Sequence, residues 1–543
     1  MQASTASVPA LPAAAQHELR AALERLSEVV EEHMRRYSRR PPVLADTRWI
    51  EDIVTAVQGP ALTKPEPLWP HARFLAFGLQ FNAIVRPFFE SPGVELMHVL
   101  RLQYCLGLDP ILQPLWCLGM ITGWREASGQ HTTLLDVAQV LERIEPQRYS
   151  AFEVNLLAGY GPIPSWEADA LLPFFETRLD LLARTLAMAF GTEGYKFQRT
   201  QQRDKLRGIL SLFQPLPKPL ETPLWDHALE GGKAERAFAQ PLLASLPDLR
   251  ERLLAEVAAR KQERRLHAVE WLARIAPRGD QTVIKALTSG FKKEKNENVR
   301  GAFMLALERL GAPVEQFLDR AALLAEADKL VTRGIPTALD WFPFERLPAL
   351  HWRDNNQAAP ATLASALVIK CHQGKTPEPG VALRKCCAWL AQAEALGRVV
   401  LEAWITHDTQ PKYTPDEAAY QADINAKALA GLMPGQSYDQ LYRSQLNYLL
   451  THEFSGSAIA DKGLLALVGA CAGRDTVILV EQYITKYYGT RAAQCKALLQ
   501  MLAWVEHPQA TQVLLKIAAR FRTRGIQTET QQMVAALADR KGW

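Results

Sequence analysis

The chain has 543 residues, of which 48% are apolar and 22% charged, with a formal net charge of +4. That is enough apolar material for a continuous core, and too little net charge for a globally polybasic nucleic-acid binder. Seven cysteines, an odd number without a C-x-x-C pair, exclude a disulfide framework and a zinc knuckle and fit reduced thiols in a cytoplasmic protein. No run reaches the ~18 apolar residues of a membrane span, so no membrane association is expected.

Met1 to Gln16 is rich in Ala, Ser and Pro, lacks a basic start and a long apolar core, and reads as a disordered tail (1–16) rather than a secretory signal. His17 to Tyr37 follows as a helix, with Leu19, Leu23, Leu26, Val30 and Met34 on one face and Arg35–Arg36 at its negative end. Residues 17–213 form an irregular helical N-terminal region, punctuated at Pro60, Pro65, Pro67 and Pro70 and again from Gly159 to Pro164. Pro215, Pro217, Pro219 and Pro223 make 214–225 the expected linker.

From 226 to 340 the pattern is that of stacked helix pairs. Leu266, Val269, Leu272 and Ile275 lie on one stripe, as do Val283, Ile284, Leu287 and Phe291. Val299, Phe303, Ala306, Leu307 and Leu310 form a third stripe, ending at Gly311. Helices with one apolar face must stack on neighbours, which predicts an all-α, HEAT-like α-solenoid. The charged run Lys292–Glu297 is the loop between two of these helices, with Asn298 as the expected N-cap. Residues 341–360, opening with WFPFERLPALHW, predict an ordered aromatic and proline connector. Helical repeats resume over 361–543, interrupted by a loop-rich stretch at Thr406–Thr414. Helices are expected at Ser457–Ala472, Asp475–Tyr488, Arg491–Val505, Pro508–Phe521 and Thr528–Arg540. No alternating strand pattern competes.

Motifs that could carry chemistry fail their own spacing. GKT at Gly374–Thr376 has Ile369 where a phosphate loop needs glycine, and Pro377 where its helix should run. Gly231–Gly232–Lys233 is followed by Ala234 instead of a hydroxyl. The 12 histidines include no H-E-x-x-H, and Cys371–His372 and Cys386–Cys387 offer no tetrahedral set, so no metal, cofactor or catalytic residue is assigned. His452, Ser455 and Ser457 in HEFSGS lack an orienting third group, and a helix cap is the simpler role for the serines. The one candidate binding patch is basic: Lys516, Arg520, Arg522 and Arg524. Lys516, Arg520 and Arg524 share a face if their helix continues. Ser457 to Trp543 carries eleven Lys or Arg against six acids. Such a surface suits phosphates or an acidic partner, although a solvated, salt-bridged helix face is the favoured reading, because few aromatic side chains are interleaved for base stacking.

Seven stretches carry a resemblance: Ala268–Leu287, Lys292–Gly311, Leu339–Trp352, Val400–Thr409, Ser457–Leu467, Tyr487–Trp504 and Arg520–Glu529. In this order, over about 266–543, they resemble the helical-repeat region of the large bacterial proteins grouped with the molybdate metabolism regulator. The resemblance implies helical repeats ahead of a C-terminal domain of unknown function, often with a WGR domain elsewhere. No WGR domain is seen in this chain. The family's pattern continues past Lys541–Trp543 into that C-terminal domain, so a separately encoded C-terminal domain is an expected protein partner. Composition, pattern and resemblance together point to a non-catalytic scaffold for protein–protein interaction. A nucleic-acid-binding accessory role through the basic patch is the alternative, and an enzyme without a recognisable motif comes third.

Overall fold

A computed structural model describes residues 8–37, 47–59, 80–159, 161–191, 196–433 and 435–541. Among these the protein is all-α: helices follow one another along the chain, and extended pairing is limited to three isolated β-bridges. No helix among the described residues is long and apolar enough to cross a membrane. The chain divides into two compact units, Met1–Glu251 and Arg252–Trp543.

In the first unit, residues 8–16 do not behave as a tail. Val8, Leu11 and Ala15 are buried, the helix starts at Ala13, and the Pro9 carbonyl lies 2.7 Å from Nε2 of the fully buried His98. Apolar spacing at 8, 11, 15, 19 and 22–23 extends the stripe of the following helix upstream, which overrides the polar composition. Residues 1–7 lie outside the described residues. So do Pro60, Pro65, Pro67 and Pro70.

The expected linker at 214–225 is also corrected. Pro217 is the N-cap of the helix Lys218–Leu229 and Pro219 sits in its first turn, where a missing N–H costs nothing. Leu216, Leu220, Leu224 and Trp225 are buried. This helix packs on Lys233–Leu243, so the prolines start an element rather than separate domains. The division falls instead at Glu251, inside the short helix Leu249–Glu256.

In the second unit the three expected stripes become the helices Gln262–Ile275, Gln281–Lys293 and Glu297–Arg309. Asn296, not Asn298, caps the last of these, its Oδ1 accepting from the amides of Asn298 and Val299. Gly290 lets this pair close up, because a Cβ there would overlap the ring of Phe303. Residues 341–360 contain a 3₁₀ turn, Phe344–Arg346, and no α-helix. Phe342, Leu350 and Trp352 are buried in the unit's core, and Trp341 stacks on His407 at 4.1 Å.

The centre of this unit is the helix Leu464–Cys471, buried on nearly every side and packed by Thr362–Gln373, Val381–Ala388, Ala393–Asp408 and Ala492–Leu502. Gly463, just before it, crosses so close to the carbonyls of Cys371 and Gly374 that any side chain would overlap them. Arg474–Tyr487, Ala492–Leu502, Pro508–Arg520 and Arg524–Lys541 then follow, each packed on the next.

Candidate functional site

The chain leaves the core after Asp408 and returns at Ser457. Between these points Pro415–Ala430 and Tyr438–Thr451 form an antiparallel helical hairpin. Both helices start with a capping box, Thr414 with Glu417 and Ser437 with Gln440, which satisfies the first orphan amides of each. Ala418, Ala422 and Ala426 repeat every four residues along the inner face and are fully buried. Their small side chains let the second helix approach closely. Leu449 with Tyr413, Tyr442, Leu446 and Leu450 completes a small apolar cluster separate from the main core. The two helices pack chiefly on each other.

Two lateral contacts fix the hairpin. Tyr438 donates to Asp423 at 2.5 Å, and Lys427 reaches the same carboxylate at 2.8 Å. Lys427 and Tyr438 hold the Asp423 carboxyl below its ordinary range, and the bond to Asp423 pushes the Tyr438 phenol up to about 12. On the other edge Asn425 donates to Gln445 at 3.2 Å.

The outer surface is unusual. Fifteen large apolar side chains are exposed among the described residues, and six of them fall on this one hairpin: Tyr420, Ile424, Leu432, Met433, Tyr438 and Tyr448. Tyr420 and Leu432 are 70% and 76% exposed, where scattered surface leucines are normal but a cluster marks a contact face.

The hairpin stands on a two-stranded neck. Pro411 and Phe454 form an antiparallel bridge, Lys412 N–H donates to Glu453 O at 3.1 Å and Ser455 N–H to Gln410 O at 2.9 Å. Lys412 and Glu453 also pair at 3.0 Å. Beneath the neck lies the fully buried Asp408. Its carboxylate accepts from Tyr483 Oη at 2.6 Å, Gln494 Nε2 at 3.0 Å and Ala458 N at 2.8 Å. Arg491 donates to the carbonyls of Asp408 and Gly456, both at 2.8 Å, while lying 4.5 Å over the ring of Phe454. Both neck strands are thereby tied to the helices Arg474–Tyr487 and Ala492–Leu502. Burial, then the bond to Asp408, raises the Tyr483 phenol far above its ordinary range.

The HEFSGS segment is the returning neck strand. Ser457 caps the 3₁₀ turn Ala458–Asp461, as one of the two expected caps, and His452 stacks on Tyr448 at 5.3 Å.

The basic patch is placed differently from expectation. The helix ends at Arg520, because Phe521 is extended, so Lys516 and Arg520 share a helix, Arg522 lies in a turn and Arg524 opens the next helix. All four are exposed. Lys516 pairs with Glu481 at 2.8 Å, a salt-bridged helix face, whereas Arg520, Arg522 and Arg524 make no ion pair among the described residues.

Chemistry-bearing groups elsewhere are buried or dispersed. All seven cysteines are buried free thiols, and burial pushes those of Cys105, Cys386 and Cys495 up to about 12. Among the described residues no group of three or more His, Cys, Asp or Glu is arranged to hold a metal ion. A cleft of about 510 Å³ in the first unit is lined by Leu172, Glu176, Leu179, Phe213 and Pro215, among others, with Glu176 as its single carboxylate.

The sequence reading passed over the hairpin entirely. Its signals were present: the paired T-x-x-E and S-x-x-Q boxes, the four-residue alanine repeat and the Gly431–Ser437 turn between them. Comparison with protein-family models, curated proteins and solved structures found no match.

Proposed function

We propose that the protein is a non-catalytic helical scaffold whose hairpin, Pro415–Thr451, is its docking element for a protein partner. The observation that carries this reading is the concentration of exposed Tyr, Ile, Leu and Met side chains on an element that packs on little besides itself. Tyr and Met are enriched at protein interfaces, and a hairpin held by a hydrogen-bonded neck loses little conformational freedom on binding. A HEAT-like repeat organisation is part of the proposal. It is supported by the helices from 474 to 541, where each packs on the next, and by Gln262–Ile275 and Gln281–Lys293, which both pack on Glu297–Arg309. The all-round burial of Leu464–Cys471 departs from a one-sided repeat. Kinship with the molybdate metabolism regulator-like proteins is part of the proposal, supported by the ordered stretches within 266–543.

The test compares proteins co-purifying with the wild-type chain and with a Tyr420→Glu, Leu432→Glu variant of unchanged circular dichroism. Specific partners should be lost from the variant, and an identical set from both would refute the docking role.

A second reading is supported by three arginines that make no ion pair among the described residues. Arg520, Arg522 and Arg524 lie within five residues at a helix start, a geometry suited to backbone phosphates. Fluorescence anisotropy with duplex and single-stranded DNA at low salt tests it. Binding should weaken with rising salt and with Arg522→Glu, and no binding at low salt would remove this reading.

A further inference from the structure

Resting on the hairpin being a docking element, we infer that its occupant is a second copy of this chain, paired antiparallel about a two-fold axis at Ile424. On Pro415–Ala430 the outer face, opposite the alanine seam, carries Glu417, Tyr420, Ile424, Lys427 and Ala428. These fall at i, i+3, i+7, i+10 and i+11, the spacing of a helix-packing stripe. The helix thus has two stripes, and only the inner one is covered.

The outer stripe is complementary to itself when reversed. Tyr420 and Ala428 lie four residues either side of Ile424, about 6 Å along the axis at ~1.5 Å per residue. A two-fold through Ile424 therefore sets each Tyr420 ring over the Ala428 of the other copy, large against small. Lys427 falls opposite Gln421, and Glu417 lies one helical turn further, about 6 Å away and within a lysine's reach. Asp423 meets Asn425, Glu417 meets Gly431 and Asp416 meets Leu432, so no like charges are opposed in this register. The tip residues Leu432 and Met433 arrive at the start of the partner helix, where Pro415 is exposed and Tyr413 half-buried. Taking ~150–250 Å² for a buried aromatic and less for Ile, Leu and Met, the exposed parts of Tyr420, Ile424, Ala428, Leu432 and Met433 amount to roughly 500 Å² per copy. Two copies reach roughly 1,000 Å², the lower bound of a specific interface, which predicts a reversible dimer.

Because every native thiol is buried, engineered cysteines on the hairpin report contact directly. The full chain carrying Tyr420→Cys and the full chain carrying Ala428→Cys are oxidised mildly, separately and as a 1:1 mixture, with sedimentation equilibrium run alongside on the wild type. The mixture should form a disulfide-linked dimer well above either protein alone, and the wild type should show a concentration-dependent monomer–dimer equilibrium. Ile424→Asp should raise the dissociation constant at least about 30-fold, as for a central interface residue. A wild type that stays monomeric, a dimer indifferent to Ile424→Asp, or cross-linking no greater in the mixture overturns the inference. Should the chain be monomeric while Tyr420→Glu, Leu432→Glu still removes a foreign protein, the self-association falls and the docking role stands.

Discussion

Replacing Asp408 by alanine is the most direct probe of how the hairpin is held. The substitution removes one acceptor that serves Tyr483, Gln494 and the Ala458 amide at 2.6, 3.0 and 2.8 Å. Gln494 keeps a second partner, Ser457 Oγ at 2.8 Å, and Arg491 keeps its two carbonyls. The Tyr483 hydroxyl and the Ala458 amide are left buried without a partner, at about 1–3 kcal/mol each. Arg491 also loses the carboxylate 3.5 Å from its Nε, which adds a further fraction of the cost of a buried unpaired charge. The expected loss is about 4 kcal/mol. At ~2.1 cal/mol/K per residue, a cooperative unit the size of Arg252–Trp543 melts with an entropy of about 0.6 kcal/mol/K, so its midpoint should fall by about 6–7 °C in calorimetry. Amide exchange should rise at Ala458 and along both neck strands before the rest of the unit responds. Asp408→Asn keeps one acceptor oxygen and should lose less. A midpoint for Asp408→Ala within about 1 °C of the wild type would show that the clamp does not hold the neck and would refute the reasoning.

Three further outcomes are expected. Gly463→Ala should destabilise the second unit by about 3 kcal/mol, seen in calorimetry, because the new methyl group meets two backbone carbonyls that cannot yield. Lys205 is buried against the carbonyls of Leu157 and Gly159, and burial lowers its ammonium to about 8. The unfolded chain therefore binds this proton more readily between about 8 and its ordinary 10.5, so the folded state gains stability as pH rises through that window. The melting temperature of the wild type relative to Lys205→Met should accordingly climb between about pH 8 and pH 10 and stay flat below it. His98 is held neutral by burial, with Nδ1 accepting from Glu95 N at 2.9 Å and Nε2 directed at Pro9 O. His98→Ala should expose residues 8–12 to limited proteolysis, because the contact of Nε2 with the Pro9 carbonyl is lost.

The helices around 262–309 and 474–541 were legible because their apolar residues fall on single stripes, and a stripe of that period has one structural solution. Where the reading failed, a local residue type was weighed against the wrong alternative. The prolines near 217 were read as breakers, yet proline in a first helical turn is an initiator, and only the burial of Leu220 and Leu224 tells the two apart. The composition of residues 8–16 hid an apolar spacing continuous with the next helix. The hairpin was missed because its inner stripe is alanine, whose hydrophobicity is too weak to stand out against an outer stripe carrying tyrosine and isoleucine. The Asp408 clamp could not be read at all, since its partners lie 50, 75 and 86 residues away along the chain. The arginine turn was found by charge, but its geometry depended on whether one helix passed Phe521.

Gln410 and Ser455 sit side by side at the neck, joined by a backbone hydrogen bond, so the excursion between them begins and ends at one point. The body's own core does not include the intervening residues. Chain closure across such a gap needs only a tight turn, and the entropy of an excursion grows slowly with its length. The hairpin is in that sense a cassette: it can be lengthened, exchanged or excised at the neck with the helical body folding as before. Grafted between the same two residues, a different pair of helices would give this body a different specificity.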